Sequence, residues 1–321
     1  MKSKKISLLI CIIMVLSIIS GCAQKDVDTS LSATTSSLSA TTSSAASASS
    51  TPTLEKTQTN FERYTKISFS SNALQKDLGV NIYLPKGYSD KSKYPVLYLI
   101  HGYSGDEDTW FPGLEMEKKA DALIDKNEIE PLIIVAPLID NSYGINAKII
   151  PVDRNNPSTY FSMGNYEDYL CKELIPYIDA NYSTISSKEG RYIGGLSMGG
   201  WAALHLAFSY VDMFSKVGGH SPAIFLDGYA GSAMSFVYPT DELRNDRDPL
   251  RVAKNKDLTS LKVYLDCGAE DSYQFYEGCE QLNKILKSKG VDSQYHLNKG
   301  NHDGAYWGSN IEKYLKFYAG K

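Results

Sequence analysis

Ser197 stands in Gly195-Leu-Ser-Met-Gly199, a G-x-S-x-G pentapeptide. A serine is a nucleophile at neutral pH only when a neighbouring base takes its proton. The pentapeptide therefore asks for a histidine, and for an acid behind the histidine. Its spacing alone is short enough to arise by chance, and its setting carries more. Arg191-Tyr-Ile-Gly-Gly reads as a short strand running into the serine, and the Ala/Leu-rich residues 198–208 read as a helix leaving it. A serine on such a turn projects off the sheet, and glycines two residues away let strand and helix approach closely. The helix N-terminus behind it favours developing negative charge.

Five histidines could serve as the base. His205 falls on the expected helix, more than two turns below its start. His296 lies inside an apolar run read as a strand. His101 follows a strand in a His-Gly pair and suits a structural pin for the loop it opens. His220, after another strand, suits a pocket wall or a structural role. His302 lies in Lys299-Gly-Asn-His-Asp-Gly304, after the last strand and before the last helix. Parallel sheets present active groups at the carboxyl ends of their strands, so His302 is the expected base. The acid should lie between serine and histidine in chain order. Val263-Tyr-Leu-Asp-Cys-Gly-Ala-Glu-Asp271 runs a strand into a turn, which makes Asp271 the expected acid and Glu270 the alternative. An oxyanion would be met by backbone N–H groups of the residue after the nucleophile and of the loop after a neighbouring strand. Pro95-Val-Leu-Tyr-Leu-Ile-His-Gly-Tyr103 supplies that strand and loop, nominating Tyr103 and Met198.

These residues need a scaffold that brings strand ends together. Apolar runs at 80–84, 96–100, 133–136, 192–194, 217–219, 263–266 and 294–297 have amphipathic stretches between several of them, at 115–126, 166–180, 198–208, 276–289 and 311–318. Strands alternating with helices predict an α/β fold, a mostly parallel sheet with helices on both faces. The first two runs follow each other too closely for a crossover helix, so an antiparallel start is expected. Pro176 should kink or restart the second helix. Trp110, Tyr143, Tyr160 and Trp307 fall in expected loops, where aromatic walls would suit a phenolic group or a sugar face.

Lys2, Lys4 and Lys5 precede an apolar run at 6–19 that ends in Ile-Ser-Gly-Cys22. This has the form of an export signal, too short for a comfortable membrane span. Its last residues resemble a lipobox, in which the Cys22 thiol takes a lipid and residues 1–21 are removed. Residues 22–60 are dominated by Ser, Thr and Ala, with Leu-Ser-Ala-Thr-Thr-Ser-Ser repeated at 31–37 and 38–44. One Leu per repeat cannot bury a coiled-coil seam. The segment reads as a flexible tether of roughly 35 Å root-mean-square span. Residues 61–321 then form one domain. The expected location is the bacterial cell surface, with the membrane as partner through Cys22.

The formal net charge is −4, and no Lys/Arg cluster lies beyond the first five residues, which argues against a nucleic-acid partner. No His/Cys spacing suggests zinc, and Asp246-x-Asp248 lacks the glycine and distal glutamate of a calcium loop. No metal is expected. Cys267 and Cys279 could pair if geometry allowed, with buried free thiols as the default.

The constellation resembles the Putative esterase branch of the α/β-hydrolases, which includes feruloyl and acetylxylan esterases, S-formylglutathione hydrolase, enterochelin-esterase-like proteins and mycolyltransferases. The segments that carry the resemblance are Val80-Asn-Ile-Tyr-Leu-Pro, Tyr94-Pro-Val-Leu-Tyr-Leu-Ile-His-Gly, Glu173-Leu-Ile-Pro-Tyr-Ile-Asp, Gly195-Leu-Ser-Met-Gly-Gly, Cys267-Gly-Ala-Glu-Asp and Gly300-Asn-His-Asp. Secreted feruloyl-esterase-like members are nearest. The resemblance implies an α/β-hydrolase fold and a cofactor-free serine esterase with Ser197, Asp271 and His302 as its triad. The implied substrate is an ester, feruloyl or acetyl, linked to carbohydrate of the plant cell wall. Trp110, Tyr143, Tyr160, His220 and Trp307 are the expected substrate contacts. An acyltransferase on the same triad, a siderophore esterase and a non-catalytic protein that kept the fold remain open. Residues 221–257 match no subgroup and should roof the pocket.

Overall fold

Runs of residues buried on both faces form the middle of an eight-stranded sheet. The structure, a computed structural model, describes residues 63–148, 161–229 and 231–321. Cys22, the expected signal and tether, and Tyr160 lie outside the described residues. The strands are β1 (Tyr64–Ser71), β2 (Lys76–Tyr83), β3 (Val96–Ile100), β4 (Ile133–Pro137), β5 (Arg191–Leu196), β6 (Lys216–His220), β7 (Lys262–Gly268) and β8 (Asp292–Asn298). Their spatial order is β1-β2-β4-β3-β5-β6-β7-β8. From β4 to β8 all neighbours are parallel. β2 runs against the rest, as the short spacing to β3 required, but its partners are β1 and β4 rather than β3. β1 was not anticipated. Its inward positions are Ile67, Phe69 and Ser71, so only two apolar residues mark its buried face.

The period of two along each central strand divides the interior. Val96, Tyr98 and Ile100 of β3 pack into one core, and Leu97 and Leu99 into the other. Helices α1 (Met116–Asp125) and α8 (Gly304–Ala319) contribute to the Leu97 side. Helices α2 (Ile175–Asn181), α3 (Met198–Ser209), α6 (Pro249–Asn255) and α7 (Phe275–Ser288) contribute to the other. Every residue of α3 from Met198 to Phe208 is buried, which suits a helix enclosed by other elements. A π-helical turn, Tyr169–Leu174, leads into α2, and Pro176 sits in the first turn of α2. The backbone stays helical from Tyr166 to Asn181, so Pro176 does not restart the helix; the π-helical turn directly before it accommodates the N–H that proline lacks.

One helix starts earlier than expected, for a physical reason. Helix α8 starts at Gly304, two turns before the expected position. Gly304, Gly308, Ser309 and Asn310 are weak helix formers. Asp303 offsets this by capping the helix, its side chain accepting the Tyr306 N–H at 2.9 Å. Trp307 therefore sits in a helix rather than a loop. Residues 221–257, without a matching subgroup, fold into α4 (Ser232–Val237), α5 (Asp241–Arg247) and α6.

Trp110 corrects an expectation. It is not a pocket wall but a fully buried core residue on the α1/α8 side, and its indole N–H donates to the Ile100 carbonyl at 3.1 Å. Trp110→Ala is expected to cost about 3–5 kcal/mol of stability. Urea unfolding should show a lowered midpoint with an unchanged m-value.

Candidate active site

The turn between β5 and α3 holds Ser197 at φ 54°, ψ −116°, a left-handed conformation that a side chain rarely adopts. Backbone bonds fix it there. The Ser197 N–H donates to the His220 carbonyl at 2.9 Å, and the Ser197 carbonyl accepts from Trp201 and Ala223, each at 3.0 Å. The glycines explain why strand and helix can meet. A Cβ on Gly195 would lie 2.3 Å from the Gly199 carbonyl oxygen, and one on Gly199 would lie 2.3 Å from that of Ile100. Only hydrogen fits at either position.

The structure brings the three expected residues together. Ser197 Oγ is 2.8 Å from His302 Nε2, and His302 Nδ1 is 2.7 Å from Asp271 Oδ2. Glu270, the alternative acid, is exposed. Asp271 is buried, and burial alone would raise its pKa. The His302 hydrogen bond and charge, the Cys267 thiol and the Tyr273 N–H together outweigh burial and hold the carboxyl below the usual range. The Tyr273 N–H donates to Oδ1 at 2.8 Å, and the Cys267 thiol donates to Oδ2 at 3.1 Å. Cys171, Cys267 and Cys279 are free buried thiols.

The other histidines have structural surroundings. His101 Nε2 accepts the Ile139 N–H at 3.0 Å, so its proton is on Nδ1, which donates to the Gly102 carbonyl at 2.8 Å. Burial lowers its pKa, which keeps the ring neutral. His101 is thus the expected pin for the loop that carries Tyr103. That loop lies against the nucleophile, since a Cβ on Gly102 would be 3.6 Å from Ser197 Cβ. Met198 directly follows Ser197 at the start of α3, and Tyr103 directly follows Gly102 in that loop. His205 lies 3.5 Å from Glu167, and His296 is exposed on β8.

His220 also corrects an expectation. It is fully buried and does not face the pocket; its Nδ1 lies 2.8 Å from Asp266 Oδ1. Asp266 Oδ2 accepts the hydroxyls of Tyr306 at 2.6 Å and Tyr314 at 2.9 Å. His220 stacks on Tyr314, ring centroids 3.6 Å apart. The ring that would line a pocket is spent on solvating a buried carboxylate.

A cleft of about 610 Å³ opens over Ser197 and His302. Tyr143 and Trp307 line it as expected, and the unmatched roof segment contributes Ala223, Phe225, Tyr229 and Ala233. Sequence reasoning missed the side chains of Tyr103, Phe161, Phe225, Tyr229, Tyr273 and Phe275. A signal was present for Tyr273 and Phe275, which adjoin the Asp271 turn, for Tyr103, which follows His101-Gly102, and for Phe225 and Tyr229, which lie in the roof segment; Phe161 had none.

This geometry has known counterparts. The Putative esterase family profile matches residues 71–318. The chain belongs to the Putative esterase family. It is 27% identical over 260 residues to an endo-1,4-beta-xylanase/feruloyl esterase of Xylanibacter ruminicola, a match covering 79% of this chain and 31% of that protein. The chain thus spans about a third of the length of that relative. An acetyl esterase of Caldicellulosiruptor saccharolyticus is 24% identical over 272 residues, covering 77% of this chain and 94% of the relative. A solved ferulic acid esterase superposes with a TM-score of 0.66 at 24% identity, covering 79% of this chain and 96% of that one. That likeness speaks to the fold, an α/β-hydrolase.

The Asp271 carboxyl makes a prediction about acid stability. Its folded pKa lies below the unfolded value of about 3.9. Its contribution is therefore present above about pH 4 and is lost as pH falls through the lowered folded pKa. Asp271→Asn is expected to cost about 1.5–3 kcal/mol near pH 6. Chemical unfolding at successively lower pH should show this gap to wild type closing.

Proposed function

We propose that the protein is a serine carboxylesterase that removes aromatic acyl groups of the feruloyl type from plant cell-wall polysaccharide. The observation that carries this reading is the Asp271–His302–Ser197 relay opening on an aromatic-lined cleft. Ser197 Oγ attacks the ester carbonyl while His302 Nε2 takes its proton. The N–H groups of Met198 and Tyr103 meet the charge that develops on the carbonyl oxygen, each contributing about 3–4 kcal/mol in the transition state. Asp271 fixes the histidine tautomer and stabilises the imidazolium. His302 then protonates the leaving alcohol as the C–O bond breaks, and the acyl group stays on Ser197. Water, deprotonated by His302, attacks the acyl-enzyme and releases the acid.

A phenolic acyl group fills a cleft of about 610 Å³ far better than an acetyl group does. The Xylanibacter relative, named as a xylanase and feruloyl esterase, supports the same substrate. Acetyl ester hydrolysis is the second reading, favoured by the acetyl esterase that this chain matches over nearly its whole length. The lysines, apolar run and Cys22 of the N-terminus support export and lipid anchoring. The Ser/Thr-rich segment supports a domain held off the membrane.

The test compares kcat/KM for methyl ferulate and a short acetyl ester. The expected result is a clear ferulate preference, and an acetyl preference reverses the assignment. Ser197→Ala should abolish turnover of both, and Asp271→Asn should lower kcat by about 10⁴, while Glu270→Gln stays within about twofold, as surface changes away from a site do. Undiminished turnover in Ser197→Ala would refute the serine mechanism. Cys22→Ala should lose incorporation of labelled fatty acid and release the protein from membranes, and retained labelling would exclude Cys22 as the anchor.

A further inference from the structure

Large apolar side chains are exposed at five of the described positions: Tyr103, Ile185, Tyr229, Tyr273 and Leu297. The three tyrosines among them, at 41%, 38% and 56% exposure, all line the cleft. Deeper in the same cleft Tyr143, Phe225 and Phe275 are buried. The cleft thus has an enclosed apolar end and a wet aromatic rim. Exposed apolar surface gathered around one opening marks a contact surface.

The chemistry of the site assigns a direction to this rim. His302 Nε2 must hand its proton to the leaving oxygen, so the alcohol begins within hydrogen-bond reach of that nitrogen. Three rings pack edge-on around His302, with centroids 4.9 Å away for Tyr273, 5.4 Å for Phe275 and 5.0 Å for Trp307. Phe275 is buried, and Trp307 is half-buried with its N–H donating to Ser221 Oγ at 3.3 Å. Tyr273 is the member of this group that faces solvent. A polymer cannot be swallowed by the cleft, so an alcohol that belongs to one must leave across the rim.

Tyr273 is also held in place. One face stacks on Phe275 at 5.4 Å with an interplanar angle of 13°. Its N–H is fixed by Asp271 Oδ1, and the preceding Ser272 N–H by Asn301 Oδ1 at 3.0 Å. Little freedom is left to lose on binding, and a tyrosine offers a flat apolar face with a polar tip. A sugar ring has the matching form, an apolar C–H face edged with hydroxyls.

We propose that Tyr273 is the platform for the sugar ring on the alcohol side of the ester, making it a specificity-determining residue for carbohydrate-linked esters. The proposal rests on the esterase reading above and deepens it. The test measures kcat/KM for the arabinose ester and the methyl ester of ferulic acid, in wild type, Tyr273→Ala and Tyr273→Phe. The ratio of sugar ester to methyl ester is the readout, because any disturbance of Asp271 affects both esters alike and cancels. Wild type is expected to favour the sugar ester. Tyr273→Ala should lower the ratio roughly 3–10-fold, mainly through KM, and Tyr273→Phe should keep it. Ser197-dependent hydrolysis of both esters with an unchanged ratio in Tyr273→Ala overturns the platform and leaves the esterase standing. Failure of wild type to hydrolyse either ester overturns the feruloyl reading, and the platform with it.

Discussion

A serine held in a left-handed backbone conformation between β5 and α3 is the constraint around which the rest is arranged. Such a residue costs of order 1–3 kcal/mol and persists only where its surroundings over-determine it. Here they do so from three directions. The β6 end supplies the His220 carbonyl, the roof segment supplies the Ala223 N–H, and α3 itself supplies the Trp201 N–H. The close approach of Gly199 to the β3 end sets the fourth boundary. β5 must therefore lie between β3 and β6, with α3 enclosed beneath other elements. The loop carrying Tyr103, and Asp271 and His302, then arrive from the carboxyl ends of β3, β7 and β8.

Two aspartate–histidine pairs leave β7, and their difference lies in access. Asp271 and His302 meet at the cleft, where Nε2 reaches Ser197. Asp266 and His220 meet inside, where both side chains are wholly buried and the carboxylate is also satisfied by Tyr306 and Tyr314. A buried carboxylate without such donors would be costly. Because both tyrosines belong to α8, the inner pair ties that helix to the sheet. The cap of α8 is Asp303, next to His302. The inner pair thus helps decide where the outer histidine stands, which is a structural role of a kind that the pocket-wall reading of His220 did not contain.

The triad was legible because each member stands in a short turn or loop at the end of a strand, and chain order separates Asp271 and His302 from most of their neighbours. The choice of Asp271 over Glu270 needed the turn after β7, which buries one carboxylate and exposes the other. The cleft walls were much less legible. Trp110 and Trp307 both read as loop aromatics, yet one fills the core and the other lines the cleft, since direction depends on elements that the local sequence does not announce. β1 escaped because an edge strand with one solvated face needs few apolar residues. The start of α8 escaped because a capping aspartate overrode weak local propensity.

The acid and base loops are positioned partly by each other. Asn301 Oδ1 accepts the Ser272 N–H at 3.0 Å and the His302 N–H at 2.8 Å, so one side chain clips the loop after β7 to the loop after β8. Gly300 adds a backbone link, its carbonyl accepting the Glu270 N–H at 2.9 Å. Around this junction Tyr273, Phe275 and Trp307 close on the imidazole edges while Nε2 remains directed at Ser197. Sites on loops are ordinarily less exact than sites on helices and strands. Here each loop is only a few residues long, starts from a parallel strand and ends at a helix, and is fastened to its neighbour midway. A histidine so enclosed has one productive orientation, and the orientation is fixed before any substrate arrives, which is what catalysis by positioned groups demands.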